Sequence, residues 1–267
     1  FTAPDVYVDS SIPQECLDEG CGFENTPFKT ITRALEMINP TEDNPITIHL
    51  APGTYSPETG EVFPINIISH VNIEGENEET SIIDAMQTGR VISIINCDNT
   101  ILSGITITGG LTDGEFPDYL GGGILIYYDS GHSCDDSNTF TNIIVTGNTA
   151  SKGAGILFFS YNSNYCGILT DMTISGNIAT SSQHTDNDPQ GGGIMLYLTH
   201  PTLTNVVIIE NNGGDYGGGI RLDNAHPILT DVVLSNNIAL YGGGIHTWLS
   251  NPIVTDVVVT DNMANWG

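Results

Sequence analysis

The apolar and polar positions of this chain form a pattern that repeats along most of its length. Residues 227–245 read PILTDVVLSNNIALYGGGI, and the same order of residue types returns over 251–267 as NPIVTDVVVTDNMANWG. Repetition at a fixed period of this length is typical of a solenoid, in which each unit buries its apolar face against its neighbours. The pattern therefore predicts one elongated body. Further copies cover 200–220 and, more weakly, 103–124, 141–156 and 170–194.

The spacing within each copy predicts short strands. The Thr-Asn or Thr-Asp pairs that begin at Thr204, Thr230 and Thr255 are 26 and 25 residues apart, close to one coil of three strands with turns. The Val-Val-Ile runs after them are continuous rather than alternating, as expected for parallel strands along a narrow core. The predicted fold class is all-β, a parallel β-helix of three sheets with coils of about 25 residues.

Asparagine and glycine recur at the turns. An asparagine stands six residues after each Thr-Asn or Thr-Asp pair, and the stacked amides are expected to bond one another and to tolerate a left-handed turn. Gly-Gly-Gly triplets then let the backbone turn with positive φ before an isoleucine re-enters the core. Gly267 holds the first glycine position of a next triplet, so we expect a longer natural chain, cut here in mid-coil. The asparagines are Asn148, Asn177, Asn211, Asn237 and Asn262.

Residues 1–80 predict an N-terminal cap and the first coils, ahead of one continuous repeat domain at 81–267. Thr26 suits the N-cap of a helix with Pro27 at its first position, and an apolar stripe runs from Phe28 to Ile38. Such an amphipathic helix covers the apolar end of the first coil. Short strands are predicted at 6–8, 46–50, 65–68, 71–73, 82–83 and 91–95, with a turn at 51–55.

Composition narrows the classes of partner. The 32 acidic and 5 basic residues give a formal charge of −27, which repels nucleic acids and anionic membranes. No apolar run approaches the roughly 20 residues of a membrane span. These features exclude nucleic-acid binding and membrane insertion, and they favour an extracellular or cell-surface protein.

The five cysteines bear on the compartment. Cys16 and Cys21 flank a short acidic loop, whereas Cys97, Cys134 and Cys166 precede repeats and so fall at equivalent turns. Two of these three can pair across coils, because parallel strands lie about 4.8 Å apart and disulfides need Cα atoms roughly 5.5–6 Å apart. This favours an oxidising, secreted setting with one thiol left over; buried, unpaired cysteines in a cytosolic protein are the alternative.

Several motifs carry a family resemblance. PFKTITRAL at 27–35, IHLAPGTY at 48–55, FPI at 63–65 and VNIEG at 71–75 resemble the N-terminal cap of pectate-lyase-like, right-handed parallel β-helix proteins. The Asn and Gly-Gly-Gly-Ile repeats are similar to the coils of that superfamily, and more loosely to the repeats of chlamydial polymorphic outer-membrane proteins. The resemblance implies a right-handed β-helix but no single activity, since such β-helices serve as lyases, hydrolases, epimerases, adhesins and phage spikes.

Two acidic insertions, at 111–119 and 180–190, suggest a cation site. Both project at the same turn, where carboxylates from several loops can supply the hard oxygen ligands that Ca²⁺ prefers. A solvated acidic loop without an ion is the alternative interpretation. The candidate ligands are Asp113, Glu115, Asp118, Asp186, Asp188 and Asp215.

Three rows of side chains offer a binding surface. The edge row, the residues that precede the glycine triplets, contains Tyr216, Tyr241 and Trp266, whose rings either stabilise the solenoid by stacking or offer flat apolar faces to sugars. Alternation along the next strand predicts two outward columns, which form either a groove for an extended ligand or a surface covered by a loop or subunit. The first column is Leu125, Leu157, Met195, Arg221 and His246, and the second column is Tyr127, Phe159, Tyr197, Asp223 and Trp248.

Candidate catalysts are Lys152 at the glycine turn together with Arg221, Asp223 and His246 on adjacent coils. The resemblance implies polysaccharide lyase chemistry, in which a cationic base removes a proton beside a uronate carboxylate, usually with Ca²⁺. No lyase motif matches around Lys152 or Arg221, however. A glycoside hydrolase would instead need two carboxyl groups about 5–9.5 Å apart, and 32 acidic residues do not single out such a pair.

Two hypotheses follow. The favoured one is a secreted or surface β-helix domain of a larger protein that binds glycans or partner proteins along its side. The alternative is a carbohydrate-active enzyme, either a lyase or a hydrolase.

Overall fold

A computed structural model describes residues 3–16, 20–132, 138–164, 167–181 and 188–266. Short strands dominate these ranges, accompanied by helix α1 at Ile31–Met37 and a 3-10 turn at Pro57–Thr59. In chain order the strands are β1 Asp5–Val8, β2 Ile46–Leu50, β3 Gly53–Tyr55, β4 Ile65–Ile67, β5 Val71–Gly75, β6 Ser81–Asp84, β7 Ile92–Ile95, β8 Ile101–Thr108, β9 Ile124–Tyr128, β10 Thr139–Thr146, β11 Thr149–Ala150 and β12 Ile156–Asn164. They continue with β13 Ile168–Ser175, β14 Ile178–Ala179, β15 Ile194–Thr199, β16 Thr202–Ile209, β17 Ile220–Asp223, β18 Ile228–Ser235, β19 Ile238–Tyr241, β20 Ile245–Trp248, β21 Ile253–Thr255, β22 Val258–Thr260 and β23 Met263–Trp266.

The strands stack in parallel ladders, each coil pairing with the next. A long sheet runs in the order β1-β2-β5-β8-β10-β13-β16-β18-β21, and a second runs β4-β7-β9-β12-β15-β17-β20. A narrow third ladder contains the pairs β11–β14 and β19–β23, with bridges through Asn212 between them. The predicted parallel β-helix is therefore confirmed.

The core is a column of branched aliphatic side chains inside the coils. In the long sheet Ile143 pairs with Met172, Met172 with Val206 and Val206 with Val232, and all four side chains are buried. Their neighbours along each strand, such as Val207, are only half-buried. The Val-Val-Ile runs are thus continuous in sequence but alternate in burial, because successive side chains point to opposite faces of a strand.

The predicted asparagine ladder is present. The side-chain amide of Asn148 donates to the Oδ1 of Asn177 over 3.0 Å, and Asn177 donates likewise to Asn211. The series continues to Asn237 and Asn262. The ladder residues do not take the left-handed conformation expected of them. Positive φ falls one residue earlier, for example 54° at Asn236, which leaves the buried amide free to reach the next coil.

The first glycine of each triplet turns the backbone as predicted. Gly121, Gly191 and Gly217 have φ of 52°, 66° and 68°. The turn aspartates behave similarly, since Asp171 and Asp231 have φ of 54° and 53°, in agreement with their interpretation as turn residues rather than catalysts.

The capping helix exists but begins later than predicted. Helix α1 starts at Ile31 with Thr30 as its N-cap, whose side chain accepts a hydrogen bond from the backbone N–H of Arg33. Thr26 donates instead to the carbonyl of Gly20, and Phe28 lies in a bridge beside Val8. Residues 26–28 are not helical although Pro27 favours a helix start, because the backbone of Phe28 forms hydrogen bonds with strand β1 instead. No helix in the described part of the chain has the length and apolar character needed to cross a membrane.

One further prediction was wrong in the N-terminal region. Residues 51–55 form a turn only at their start, because Gly53–Tyr55 is strand β3 and pairs with Ser81–Ile83. The ring of Tyr55 is fully buried and its hydroxyl donates to the carbonyls of Val8 and Ala51. These contacts come from distant coils, which local sequence patterns do not contain.

Cys16 and Cys21 form a disulfide, and Cys97 is a free, buried thiol. The predicted pairing across coils also involves Cys134 and Cys166, which lie outside the described residues.

Candidate functional site

The second sheet places both predicted outward columns in register. Ile156 pairs with Ile124 and Ile194, so the residues that follow these inward isoleucines stack coil upon coil. Arg221 pairs with His246, and Asp223 pairs with Trp248. Bridges also extend the edge row upstream from Tyr216 to Gln190, Lys152 and Leu120.

The upstream part of the first column is not an open groove. Leu125, Leu157 and Met195 are buried, with Met195 only 3% exposed. They pack under Tyr119, the last residue of the insertion at 111–119, and under Leu120, which follows it. Residues 111–120 are called here the covering segment. The alternative in which a loop of the chain covers the apolar column is therefore correct for these three positions.

Arg90 holds the covering segment in place. Its guanidinium donates to the carbonyl oxygens of Leu120, Gly121 and Pro117 over 2.8 to 3.1 Å, and to the hydroxyl of Ser93. Burial lowers the pKa of Arg90 to about 10, and the nearby charge of Asp118 opposes that shift. The group stays charged at neutral pH and anchors the segment through charge-assisted hydrogen bonds.

The second column is an aromatic stack for three coils. Tyr127 and Phe159 lie with ring centroids 5.3 Å apart and planes 11° apart, and Phe159 and Tyr197 follow at 4.7 Å and 10°. Phe116 from the covering segment and Tyr161 meet these rings edge-on. Burial, followed by a hydrogen bond with Tyr161, raises the pKa of Tyr127 to about 12.

A pocket of about 270 Å³ opens where this stack ends. The residues that line it include Phe159 and Tyr197 together with Lys152, Arg221 and Asp223. The fold thus brings three of the four predicted catalytic residues together with two of the predicted binding aromatics. Trp248 is 58% exposed one coil beyond Asp223.

Arg221 is held firmly in this pocket. It is 6% exposed, its Nη2 donates to Asp223 Oδ2 over 3.4 Å, and its guanidinium lies 5.3 Å from the ring centroid of Tyr216. Its Nη1 also contacts Nδ1 of His246. The Nε of Arg221 is buried and has no hydrogen-bond partner within the described part of the chain. Arg221 therefore keeps one unsatisfied donor that is closed to solvent.

The electrostatic environment favours neutral forms of the neighbouring bases. Burial lowers the pKa of Lys152; the charge of Asp223 opposes this shift and that of Arg221 adds to it. Burial, then Arg221, lowers the pKa of His246 as well. At a given pH a larger fraction of Lys152 is therefore unprotonated than of an exposed lysine, and an unprotonated amine is what a general base requires.

The edge row continues the surface downstream. Tyr216 and Tyr241 are stacked with centroids 5.2 Å apart, and the ring of His246 meets Tyr216 edge-on at 5.0 Å. Trp266 is in register with Tyr241 and is 65% exposed.

The calcium site stays a prediction, because its candidate ligands are only partly described. No group of three or more histidine, cysteine or acidic side chains suited to a metal is found among the described residues. The covering segment carries Asp113, Glu115 and Asp118. The negative charge of Asp118 interacts with Arg90 and raises its pKa. Burial, followed by the charge of Asp188, raises the pKa of Asp215, so those two carboxylates are neighbours. Asp186 lies outside the described residues.

Sequence analysis missed Arg90, Phe116, Tyr119 and Gln190 at this site. Gln190 was detectable, because it precedes a glycine triplet as Tyr216 does. Phe116 and Tyr119 lie in the insertion and Arg90 lies in the coil before it. The repeat pattern does not extend to these positions, so it does not predict their contacts.

Comparison with known proteins agrees with the fold. The structure aligns with pectate lyase Pel9A at a TM-score of 0.52 and 14% identity, covering 99% of this chain and 78% of that one. It aligns with pectin methylesterase from carrot at 0.51 and 10%, covering 97% and 84%. The chain therefore has the right-handed parallel β-helix fold that its N-terminal motifs and repeats predicted.

At the level of sequence, residues 16–86 match a family described as protein of unknown function DUF1565. The sequence matches no curated protein.

Proposed function

We propose that this β-helix binds an acidic polysaccharide at the pocket that the covering segment shares with Lys152, Arg221 and Asp223. The observation that carries the proposal is the meeting of Lys152, Arg221 and Asp223 with Phe159 and Tyr197 in one pocket. Two of the five lysine and arginine residues line this pocket with one carboxylate, Asp223, so an anionic ligand would balance the remaining positive charge.

The side chains match the chemistry of a uronate. Lysine and arginine donate to carboxylates, and a carboxylate such as Asp223 accepts from sugar hydroxyls. Aromatic rings contact the apolar faces of sugars. The names of the aligned structures refer to pectate and pectin, which supports an acidic glycan as the first class to test.

Isothermal titration with oligogalacturonate and with a neutral glucan tests the proposal. We expect the acidic glycan alone to bind, more weakly at high salt, and Lys152→Met to lose at least about tenfold in affinity. Lys29→Met is the matched control, because Lys29 lies in the N-terminal region and outside this pocket. Equal binding of the neutral glucan, or equal losses in both variants, would contradict the proposal.

A second candidate function is catalysis on the same glycan. It is favoured by one specific arrangement, in which Lys152 and Arg221 line the same pocket, and burial there lowers the pKa of Lys152. A lyase would use Lys152 to accept the proton beside the uronate carboxylate while Arg221 binds that carboxylate. The electron pair of the broken C–H bond then forms a C=C double bond as the neighbouring glycosidic C–O bond breaks, and the leaving oxygen takes a proton from water. Incubation with pectate and alginate, with and without Ca²⁺, tests for an unsaturated product by its ultraviolet absorbance. Binding without product in every condition would leave the non-catalytic function.

Binding of Ca²⁺ is proposed independently of glycan binding. The neighbours Asp188 and Asp215 are the best remaining candidates, and a gain in melting temperature with Ca²⁺ that Asp215→Asn abolishes would support the site. No gain in melting temperature with Ca²⁺ would exclude the site.

An extracellular or cell-surface location is also proposed, supported by the Cys16–Cys21 disulfide.

A further inference from the structure

From Tyr127 to Trp248 the second column carries an aromatic ring on every coil but one. Tyr127, Phe159 and Tyr197 stand on three successive coils, Asp223 occupies the fourth, and Trp248 the fifth. The single interruption lies at the pocket. It is therefore the column's one place, among the described coils from β9 to β20, where a ring position is filled by a short polar side chain.

Within the stack the ring faces are already occupied. The nearly parallel planes, 11° and 10° apart at centroid distances of 5.3 and 4.7 Å, mean that Phe159 shares both its faces with its neighbours. A sugar cannot lie flat on these faces, and only the ring edges point outward. The face of Tyr197 turned toward the coil of Asp223 is different, since no aromatic side chain follows it in register.

The interruption has the dimensions of one ring. Adjacent coils are about 4.8 Å apart, so two coils separate Tyr197 from Trp248 by roughly 9.6 Å. A guest ring needs carbon contacts of about 3.5–4 Å on each of its two sides. A puckered pyranose therefore fits in the space, whereas two rings do not.

The polar groups around this space are arranged for an acidic sugar. Asp223 lies at its base with a side chain 19% exposed, positioned to accept from hydroxyls. Lys152 and Arg221 line the same pocket on the side of the glycine turns and can meet a carboxylate.

We propose that one acidic sugar ring inserts at the Asp223 coil, parallel to the Tyr197 ring, and completes the interrupted stack. Because the inserted plane is perpendicular to the axis of the β-helix, a single unit enters and the rest of the glycan leaves the surface. The site thus recognises the end of a chain rather than a run of units. The inference rests on the proposed function, since it concerns the same pocket and the same ligand class.

Chain-length dependence and the fluorescence of Trp248 test this directly. The protein contains two tryptophans, so Trp266→Phe leaves Trp248 as the sole reporter. Galacturonic acid and its di- and tetrasaccharide are titrated against this variant. We expect a change in Trp248 emission and dissociation constants that agree within about threefold for all three ligands.

Two substitutions sharpen the test. Tyr197→Leu removes the stacking face and should weaken binding at least about tenfold. Asp223→Phe completes the stack with a ring of the protein itself and should abolish binding, with the fold checked by circular dichroism. Val233→Phe is the matched control, because it adds a ring at a half-buried outward position of the long sheet in the same coil.

The results distinguish single-ring insertion from acidic glycan binding in general. Affinity that rises about tenfold or more from mono- to tetrasaccharide, with silent Trp248, would overturn single-ring insertion while leaving acidic glycan binding intact. No binding of any of the three acids would overturn the proposed function and the inference with it.

Discussion

The Nη2 atom of Arg90 donates a hydrogen bond to the carbonyl oxygen of Leu120 over 2.8 Å, although thirty residues separate the two. Leu120 ends the covering segment and packs on Leu125, Leu157 and Met195. One buried guanidinium therefore links the seventh strand's coil to the roof of the candidate pocket. These hydrogen bonds fix the position of the acidic covering segment beside the pocket.

Replacing Arg90 should loosen that wall. Arg90→Met removes the donors to three carbonyls, and we expect the free energy of unfolding to fall by about 3 kcal/mol because those buried acceptors lose their partners. Urea unfolding measures the loss, and limited proteolysis should cut within 111–120 sooner. Arg33→Met removes a partly exposed pair with Glu36 and should cost less than about 1 kcal/mol. Equal costs in the two variants would contradict the anchoring role.

The asparagine ladder should be a major source of stability. Asn211→Ala removes an acceptor for both the backbone and the side-chain amide of Asn177, and a donor to Asn237. We expect a loss of about 3 kcal/mol, because buried donors are left unsatisfied. The neighbouring Asn212 is exposed and its side chain accepts only from Gly214 among the described contacts, so Asn212→Ala is the control with a smaller loss. Chemical denaturation distinguishes them.

The middle glycine of a triplet should tolerate no side chain. A Cβ at Gly218 would lie 2.6 Å from the backbone N and O of Ile238 in the next coil, and backbone cannot move aside without breaking a ladder. Gly218→Ala is expected to lower the melting temperature by several degrees or to prevent folding. Gly89→Ala meets no atom within 4 Å and should leave the melting temperature nearly unchanged. Similar melting curves for both variants would refute the close-approach argument.

His200 should make the fold sensitive to mild acid. Its buried Nδ1 accepts from the backbone N–H of His226 over 2.8 Å, and burial, then His226, lowers its pKa below the ordinary 6.5. Since the folded pKa is the lower one, this contribution to stability is complete above about pH 6.5 and is lost as the pH falls toward the folded pKa. His200→Gln, which can still accept the bond but does not titrate, should show a flatter dependence of unfolding free energy between about pH 7.5 and pH 5. Identical slopes would show that another group is responsible.

The sequence alone determined the fold and the register. A repeat places equivalent residues at equivalent points of each coil, so the asparagine ladder, the inward isoleucines and the columns through Arg221 and Trp248 followed from spacing. Alternation along a strand then separates inward from outward positions, which is a local property of the backbone.

Only the tertiary structure decided how the site is closed. The covering segment breaks the repeat, so its place over Leu157 depends on contacts with Arg90 that no period encodes. Helix α1 also begins later than the sequence predicts, because Phe28 pairs with strand β1, a contact that the local pattern does not encode. Stacking likewise determined which aromatic faces stay open, because ring planes are set by packing between coils. Among the described coils from Tyr127 to Trp248, the coil of Asp223 is the one that interrupts the stack.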